Sequence, residues 1–497
     1  MSSEDAAEID RRGGLITFRQ FVWLWNKAQG LSTPALHLEI ATWLEQAWRT
    51  GDERLLLMVF RDAGKSTLVG LFCGWLLAND SNLRVLVVAA EQGLATKMVR
   101  NVRGVLERHP VARAVVSPAS GAWASDALTL QRERELRDPS MLARGIGANL
   151  TGTRADVVIC DDVEVPNTVD TPTKRADLRR RMAELSFILV PGGLQLCIGT
   201  PHSHETIYAD EAQVKADERP FLADYNRLVL PIVDEAGRSR WPQRFPPKKI
   251  RALESEVGPS RFKSQMMLQP VDLRDVRLDA GRLVSFAADV EVVSLNRTRE
   301  LRLDGRRLKT VQCWWDPAYG SPKGGDGSVV AVAYTDEHGA FWLIDLAYLR
   351  HDPSVATQVD EATQLCRQVV ALARRHACPS MTLETNGIGR FLPNLLRKAV
   401  RDVGARIAVR EHSTSRNKDQ RIVEAFDPVL AARSLHVHER VLETPFLEEM
   451  RNFVPGAQNR DDGLDAVAAC ILEPGVGVGE LARADTGSFV ATADFRP

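Results

Sequence analysis

No two cysteines in this chain form a Cys-x-x-Cys pair. The seven lie at 73, 160, 197, 313, 366, 378 and 470, several of them inside apolar runs. Buried free thiols in a reducing compartment explain that scatter better than zinc sites or disulfides. The chain also lacks an apolar run long enough to cross a bilayer. Its first fourteen residues, MSSEDAAEIDRRGG, are polar and acidic, which reads as disorder and not as a signal peptide. A soluble, intracellular protein is expected. Excess positive charge is missing too, since the formal net charge is -1. Any nucleic-acid surface must therefore be a local patch. No internal repeat is visible. What is present is length, 497 residues with 44% hydrophobic composition, enough for two domains or three.

Residues 15–50 place apolar side chains at helical spacing, as in Phe18, Phe21, Val22, Leu24 and Trp25. Buried strands follow at 54–60, 83–90, 155–162 and 193–201, with a helix over 66–79. Apolar strands alternating with helices predict a parallel sheet covered on both faces. The pattern fades near residue 270, and 271–308 reads as a linker or small connecting subdomain. A second pattern starts at TVQCWWDPAYG (310–320), a strand ending in an acid. Hairpin-like strands at 328–336 and 340–350 follow, with Gly325–Asp326–Gly327 as the turn before them. A helix fits 356–376, another acid-ended strand 379–387, and an amphipathic helix 460–473. The expected divisions are a helical lead-in at 1–50, an α/β domain at 51–270, the connecting 271–308, a second α/β domain at 309–475 and a flexible tail at 476–497.

Two sets of residues carry chemistry. In VFRDAGKST the residues Arg61, Asp62, Ala63, Gly64, Lys65, Ser66 and Thr67 lie between a buried strand and a helix. Glycine lets backbone amides approach phosphate, lysine offers charge to the terminal phosphates, and the serine hydroxyl can hold magnesium. Val59 stands where the full Walker A pattern has its first glycine. Downstream, VVICDDVE ends a strand in Asp161 and Asp162, as a Walker B strand does. Asp161 fits the magnesium role, and either Asp162 or Glu164 could orient the attacking water. Gly199, Thr200 and Pro201 end a further strand, where a small polar group could sense the γ-phosphate; a plain turn leaving the sheet explains them equally well.

The second set is acidic. Asp316 and Glu384 end strands, and Asp461, Asp462 and Asp465 open the last helix. Asp461 and Asp465 are a turn apart and share a helix face. Such a cluster suits two-metal phosphodiester cleavage, with hard oxygens favouring two magnesium or manganese ions over zinc. Each acid alone is more simply a turn or a helix N-terminus. Of the last three, Asp461 and Asp462 are favoured near the metals, with Asp465 kept in play. Lys418 and Arg421 could meet a DNA phosphate, although a solvated charged loop is an equal reading.

FRDAGKST, RGIGANLTGTRADVVICDDVE (144–164), IGTPHSHETIY (198–208) and RFKSQMMLQP (261–270) resemble successive ATPase motifs of large terminase subunits of tailed bacteriophages. The ordered acids, with STSRNKDQRI (413–422) between the second and third, resemble the RNase H-like nuclease of that family. The resemblance implies a P-loop ATPase of the ASCE type followed by an RNase H-like nuclease. It implies ATP and Mg2+ at the first site, and an arginine reaching in from a neighbouring subunit, for which Arg144 and Arg154 are candidates. It implies double-stranded viral DNA, a portal protein, a small terminase subunit and a homo-oligomeric ring, of five copies on the procapsid, as partners, and no membrane. The place of action would be the host cytoplasm, transiently on the procapsid portal and not in the mature virion. An ATP-dependent helicase or remodeller with an accessory nuclease is the alternative; it would need a second RecA-like lobe, which the sequence after 310 does not offer.

Overall fold

The computed structural model describes residues 16–115, 118–202, 204–214, 218–272, 276–295, 298–317, 328–355, 358–385, 391–414, 416–457 and 459–477. The polar N-terminal stretch, the Gly325–Asp326–Gly327 turn and the tail from 478 lie outside these. The chain divides into two compact units, Met1–Leu253 with Arg261–Asp272, and Glu254–Ser260 with Leu273–Pro497.

The first unit opens with two helices, α1 (Phe18–Ala28) and α2 (Ala35–Thr50). Thr17 and Gln20 form a reciprocal capping box that fixes the start of α1. Its apolar stripe of Phe18, Phe21, Val22 and Trp25 is buried. Phe18 packs edge-on against Phe72, with ring centroids 5.2 Å apart. Phe72 belongs to α3 (Lys65–Asn79), whose side chains are buried continuously from Leu68 to Leu77. A helix apolar all round must be enclosed on all sides. α4 (Gln92–Arg108) and α5 (Pro172–Glu184) are amphipathic or polar by comparison.

The strands are β1 (Arg54–Val59), β2 (Val85–Ala89), β3 (Pro118–Trp123), β4 (Ala127–Leu130), β5 (Met141–Gly145), β6 (Ala155–Asp161), β7 (Leu189–Gly199) and β8 (Asn226–Leu230). They form one sheet in the order β3-β4-β5-β2-β6-β7-β1-β8. The pairs from β5 through β8 are parallel, as the unbroken apolar runs predict, while β3 and β4 add an antiparallel edge that the sequence did not reveal. β7 separates β1 from β6, so the strands carrying the two phosphate motifs flank the strand ending at Gly199.

The second unit contains β9 (Val284–Phe286), β10 (Glu291–Leu295), β11 (Thr298–Leu303), β12 (Arg306–Asp316), β13 (Val329–Asp336), β14 (Phe341–Tyr348), β15 (Ser380–Glu384), β16 (Ala408–His412), β17 (Leu435–His438) and the two-residue β18 (Val476–Gly477). Their order is β10-β11-β12-β13-β14-β17-β9, with β15 pairing the far part of β12, β16 pairing β15, and β18 also on β12. Residues 271–308 therefore supply strands to both ends of this sheet and do not merely connect.

Helices cover both faces: α6 (Glu361–Arg375) and α7 (Leu392–Asp402) on one, α8 (Lys418–Ala431) and α10 (Asp462–Leu472) on the other, with α9 (Phe446–Asn452) beside α10. Alternation along β12 sends Trp315 into the first core with Val369 and Leu396, and Trp314 into the second with Phe426 and Val467. All seven cysteines are free and buried. Among the described residues no helix is long and apolar enough to cross a membrane.

Candidate active sites

The loop between β1 and α3 is shaped for close approach. Gly64, immediately before the helix, has φ +85°, and a Cβ there would come within 3.3 Å of His37 Nε2. Asp62 also holds a left-handed φ of 65°, a strained conformation for a residue with a side chain. Three contacts over-determine the loop. His37 of α2 sits 2.8 Å from the Ala63 carbonyl oxygen. Phe60 N–H donates to Leu230 of β8 at 3.2 Å. Arg61 N–H donates to the Gln265 carbonyl at 3.0 Å. Arg61, Asp62 and Thr67 are exposed.

Across from this loop β6 ends in the two aspartates. Ser66 Oγ donates to Asp161 Oδ1 at 3.2 Å, and Lys65 Nζ lies 3.1 Å from Asp162 Oδ1. Burial, then the Asp162 charge, push the Asp161 carboxyl upward, against the pull of Lys65 and Ser66. The phosphate-loop cation and hydroxyl thus already face the acids that the sequence assigned to magnesium and water. Glu164 has a different setting. It is 1% exposed and accepts from His202 N at 2.7 Å, Thr206 Oγ1 at 2.8 Å and Ile207 N at 2.9 Å. Its carboxylate is occupied in clamping the segment after β7, whereas Asp162 stays at the loop.

Gly199 has a steric reason: a Cβ there would lie 2.2 Å from the Tyr208 hydroxyl oxygen. Thr200 Oγ1 donates to Gln265 Oε1 at 3.2 Å. The Pro201 carbonyl accepts from Ser264 Oγ at 2.6 Å and Gln265 Nε2 at 2.8 Å. Gln265 therefore holds the segment after β7 by its side chain and the phosphate loop by its carbonyl. No sequence signal marks that role, because a buried glutamine looks like any other polar residue in a helix. Arg144, in β5, pairs with Asp126 at 3.0 Å. Arg154 is exposed and donates to the Thr153 and Phe187 carbonyls at 3.2 and 3.3 Å.

In the second unit β12 and β15 run parallel with Trp315 opposite Leu383, so Asp316 and Glu384 leave the sheet side by side. α10 and α8 bring the other groups. Arg421 Nε donates to Asp465 Oδ1 at 2.8 Å, and its Nη1 reaches Glu384 Oε1 at 3.2 Å. Lys418 Nζ lies 2.7 Å from Asp461, 3.3 Å from Asp462 and 3.9 Å from Asp465. Burial, followed by the charges of Asp465 and Glu384, raises the Asp316 carboxyl to about 7. Burial raises Asp465 to about 6 despite Arg421. Lys418 loses by burial but gains more from Asp461 and its neighbours, and its ammonium is held above the usual range.

The acids from two strands and one helix are thus brought together. Asp465 is the aspartate most closely tied to Asp316 and Glu384; Asp461 and Asp462, favoured by the sequence reading, sit at Lys418. Arg421 is 7% exposed and enclosed by carboxylates, so its donors are directed inward and not toward a phosphate on the surface. Among the described residues no three acidic, histidine or cysteine side chains converge as ligands. Lys418 and Arg421 instead supply the positive charge. Buried, mutually repelling hard oxygens whose balance depends on cations suit magnesium or manganese. Glu449 of α9 was not legible in advance. It accepts from Gly463 N at 2.9 Å and Leu464 N at 3.3 Å, capping α10 from outside, since Asp461 makes no side-chain cap.

The profile of the phage T7 terminase ribonuclease H-like domain matches residues 316–435. The large terminase subunit of Enterobacteria phage T3 is 25% identical over 287 residues, 52% of this chain and 47% of that protein. The match thus spans about half the length of this curated relative. Among solved structures, a large terminase from a thermophilic bacteriophage is similar in two crystal forms. Their TM-scores are 0.52 and 0.53 at 10% identity, over 88% of this chain and 98% of the other. At that identity the likeness speaks for the fold alone, two α/β units in succession, the second of them RNase H-like by its profile. Sequence and fold agree in their likeness to large terminase subunits, and residues 316–435 match the ribonuclease H-like domain of that family.

Proposed function

We propose that the chain is a viral genome-packaging motor, hydrolysing ATP to move double-stranded DNA into a procapsid and cutting concatemeric DNA with a two-metal endonuclease. One observation carries the reading: a single chain holds a phosphate loop facing an acid-ended strand, and, on a different sheet, the Asp316–Glu384–Asp465 cluster. A helicase would need a second parallel lobe; the second unit instead pairs β12, β13 and β14 antiparallel.

At the first site Lys65 would exchange Asp162 for the terminal phosphates of ATP, and Ser66 and Asp161 would hold magnesium. Asp162, freed from Lys65, is then the better-placed carboxylate to orient water, with Glu164 retaining Thr206 and Ile207. Loss of the γ-phosphate would reach Thr200 and Pro201 through Gln265. At the second site Asp316, Glu384 and Asp465 would hold the ions, with Asp461 and Asp462 buried beside them and paired to Lys418. Bound metal would activate water and stabilise the leaving oxygen. Lys418 and Arg421 orient the carboxylates by ion pairs. A neighbouring subunit's Arg144 or Arg154, a ring on the portal, a small terminase partner and action in the host cytoplasm complete the proposal.

The test is packaging by purified protein into empty procapsids. DNA should become nuclease-resistant with ATP and remain sensitive without it. Equal protection under both conditions would overturn the reading.

A further inference from the structure

Arg421 is enclosed and Lys418, half-buried, is paired with Asp461 and Asp462, so phosphate contacts for the nuclease need further cations. Residues 391–417 contain Arg397, Lys398, Arg401, Arg406, Arg410 and Arg416 against only Asp402 and Glu411, in a chain of net charge -1. Lys398, Arg401, Arg406, Arg410 and Arg416 are exposed. None of these five pairs with a carboxylate among the described residues; Arg397 alone does, with Glu411 at 2.6 Å. The other cation-rich helix, α5, is different: Lys174, Arg180 and Arg181 are each paired with an acid of the same helix or its flank. Four of the five cations of that helix are therefore engaged by carboxylates, Arg175 by Glu205, whereas five of the six in the 391–417 strip are not.

The fold places this strip beside the carboxylates. β16 is an edge strand, paired to β15 alone, with His412 opposite Glu384. Thr385 N–H and Oγ1 both donate to the His412 carbonyl, at 2.8 and 3.0 Å, pinning the two strand ends together. Arg410 is two residues back, about 7 Å along the strand. α7 links β15 to β16 and so runs back from the Glu384 end. Its eleven residues extend about 16 Å, with Asn394, Lys398 and Arg401 on the solvent face. Charges on an edge strand can serve only to block sheet-to-sheet association. That purpose accounts for Arg410 but not for the solvent face of α7.

We infer that the solvent face of α7 and the outer edge of β16 form a phosphate-binding track that lays duplex DNA against the Asp316–Glu384–Asp465 cluster. The inference rests on the nuclease reading above. Such contacts position the duplex without reading bases. Backbone amides on the outer edge of β16 can join the cationic side chains as donors to phosphate.

The experiment compares the full chain with its Lys398→Glu, Arg401→Glu, Arg410→Glu triple variant, using a mixed-sequence DNA duplex followed by fluorescence anisotropy over a series of salt concentrations. Melting temperature and Mn2+ affinity, by calorimetry, establish that the variant is folded. Loss of three phosphate contacts should lower the salt slope by about 2 to 3 and weaken binding at least roughly tenfold. Cleavage with Mn2+ should fail through KM, with kcat little changed. If the triple variant does not fold, the three single reversals should each lower the slope by about 1. Wild-type binding and slope in the folded variant would overturn the track and leave the charges as an edge guard. A wild-type protein that neither binds nor cuts duplex DNA would overturn the nuclease reading itself.

Discussion

At the scale of single residues, the two sites should be separable by mutation. Lys65→Ala removes the cation that faces Asp162 and should abolish ATP hydrolysis while Mn2+-dependent cutting by the same full-length protein persists. Asp316→Ala and Glu384→Ala should each stop cutting and leave ATP hydrolysis near normal, since both lie on a different sheet from the one that positions Lys65 and Asp161. Parallel phosphate-release and plasmid-cutting assays on the three proteins decide it. Full cleavage by Asp316→Ala would remove the second-site assignment. Arg421→Ala is a different kind of change. It strips the partner from the buried Asp465 and Glu384, which costs about 3–5 kcal/mol when one member of a buried pair is lost. A denaturant melt should show that loss, with Mg2+ restoring part of it by replacing the missing charge.

The same carboxylates give a pH dependence. Asp316 is raised to about 7 and Asp465 to about 6 from 3.8. A raised carboxyl contributes stability that is complete below its unfolded value and is lost as pH rises through the folded one. The metal-free protein should therefore melt at falling temperature as pH rises from about 4 to about 7. Mg2+ should protect increasingly over the same window, because its ligands must be deprotonated. Asp316→Asn, which mimics the protonated form, should flatten part of that slope. A melting temperature independent of pH in both proteins would contradict the assignment.

At the scale of elements, the segment after β7 is fastened at three points: Glu164, Gln265 and the close contact of Gly199 with Tyr208. Gly199→Ala puts a methyl where only 2.2 Å separates the position from the Tyr208 oxygen. Overpacking of this kind costs about 1–3 kcal/mol. Gln265→Leu leaves the Thr200 hydroxyl and a buried region of the Pro201 carbonyl with fewer partners, again about 1–3 kcal/mol. Urea unfolding followed by tryptophan fluorescence measures both. The informative comparison is ATP hydrolysis: Gln265→Leu should lower kcat more than it raises KM, because it alters the response to phosphate and not the phosphate loop's own cation. An unchanged kcat would reduce Gln265 to packing.

At the scale of the whole molecule, the ATPase should depend on assembly. If an arginine from a neighbour completes the site, hydrolysis per subunit falls on dilution, and Arg144→Ala or Arg154→Ala reproduces the diluted rate at high concentration. A rate per subunit unchanged by dilution and by both substitutions rejects that mechanism. Each arginine has a local partner in the single chain, Asp126 for Arg144 and the Phe187 carbonyl for Arg154, which a neighbouring subunit would have to displace.

What the sequence determined by itself were the features written in local chemistry. GKS after an apolar run reads as a strand, a tight loop and a helix, because Gly64 takes the left-handed turn that lets the chain reverse into α3. Apolar runs of four to eight residues dictate enclosed parallel strands, and β1, β2, β6 and β7 form where those runs lie. WWD, TLE and DDGLD fix acids at two strand ends and one helix start. Tertiary structure decided the rest, because it depends on partners far apart in the chain. The hairpin of β10 and β11 and the short strands β16 and β17 are stabilised by their neighbours and carry little periodicity. Adjacency could not separate Asp461, Asp462 and Asp465; helix packing did, by directing Asp465 to Arg421 and Glu384. Likewise Glu164 differs from Asp162 in setting only because the segment at 202–207 returns to donate to it. Residue types and spacing specify which groups can ionise and bond; register and packing specify which of them meet.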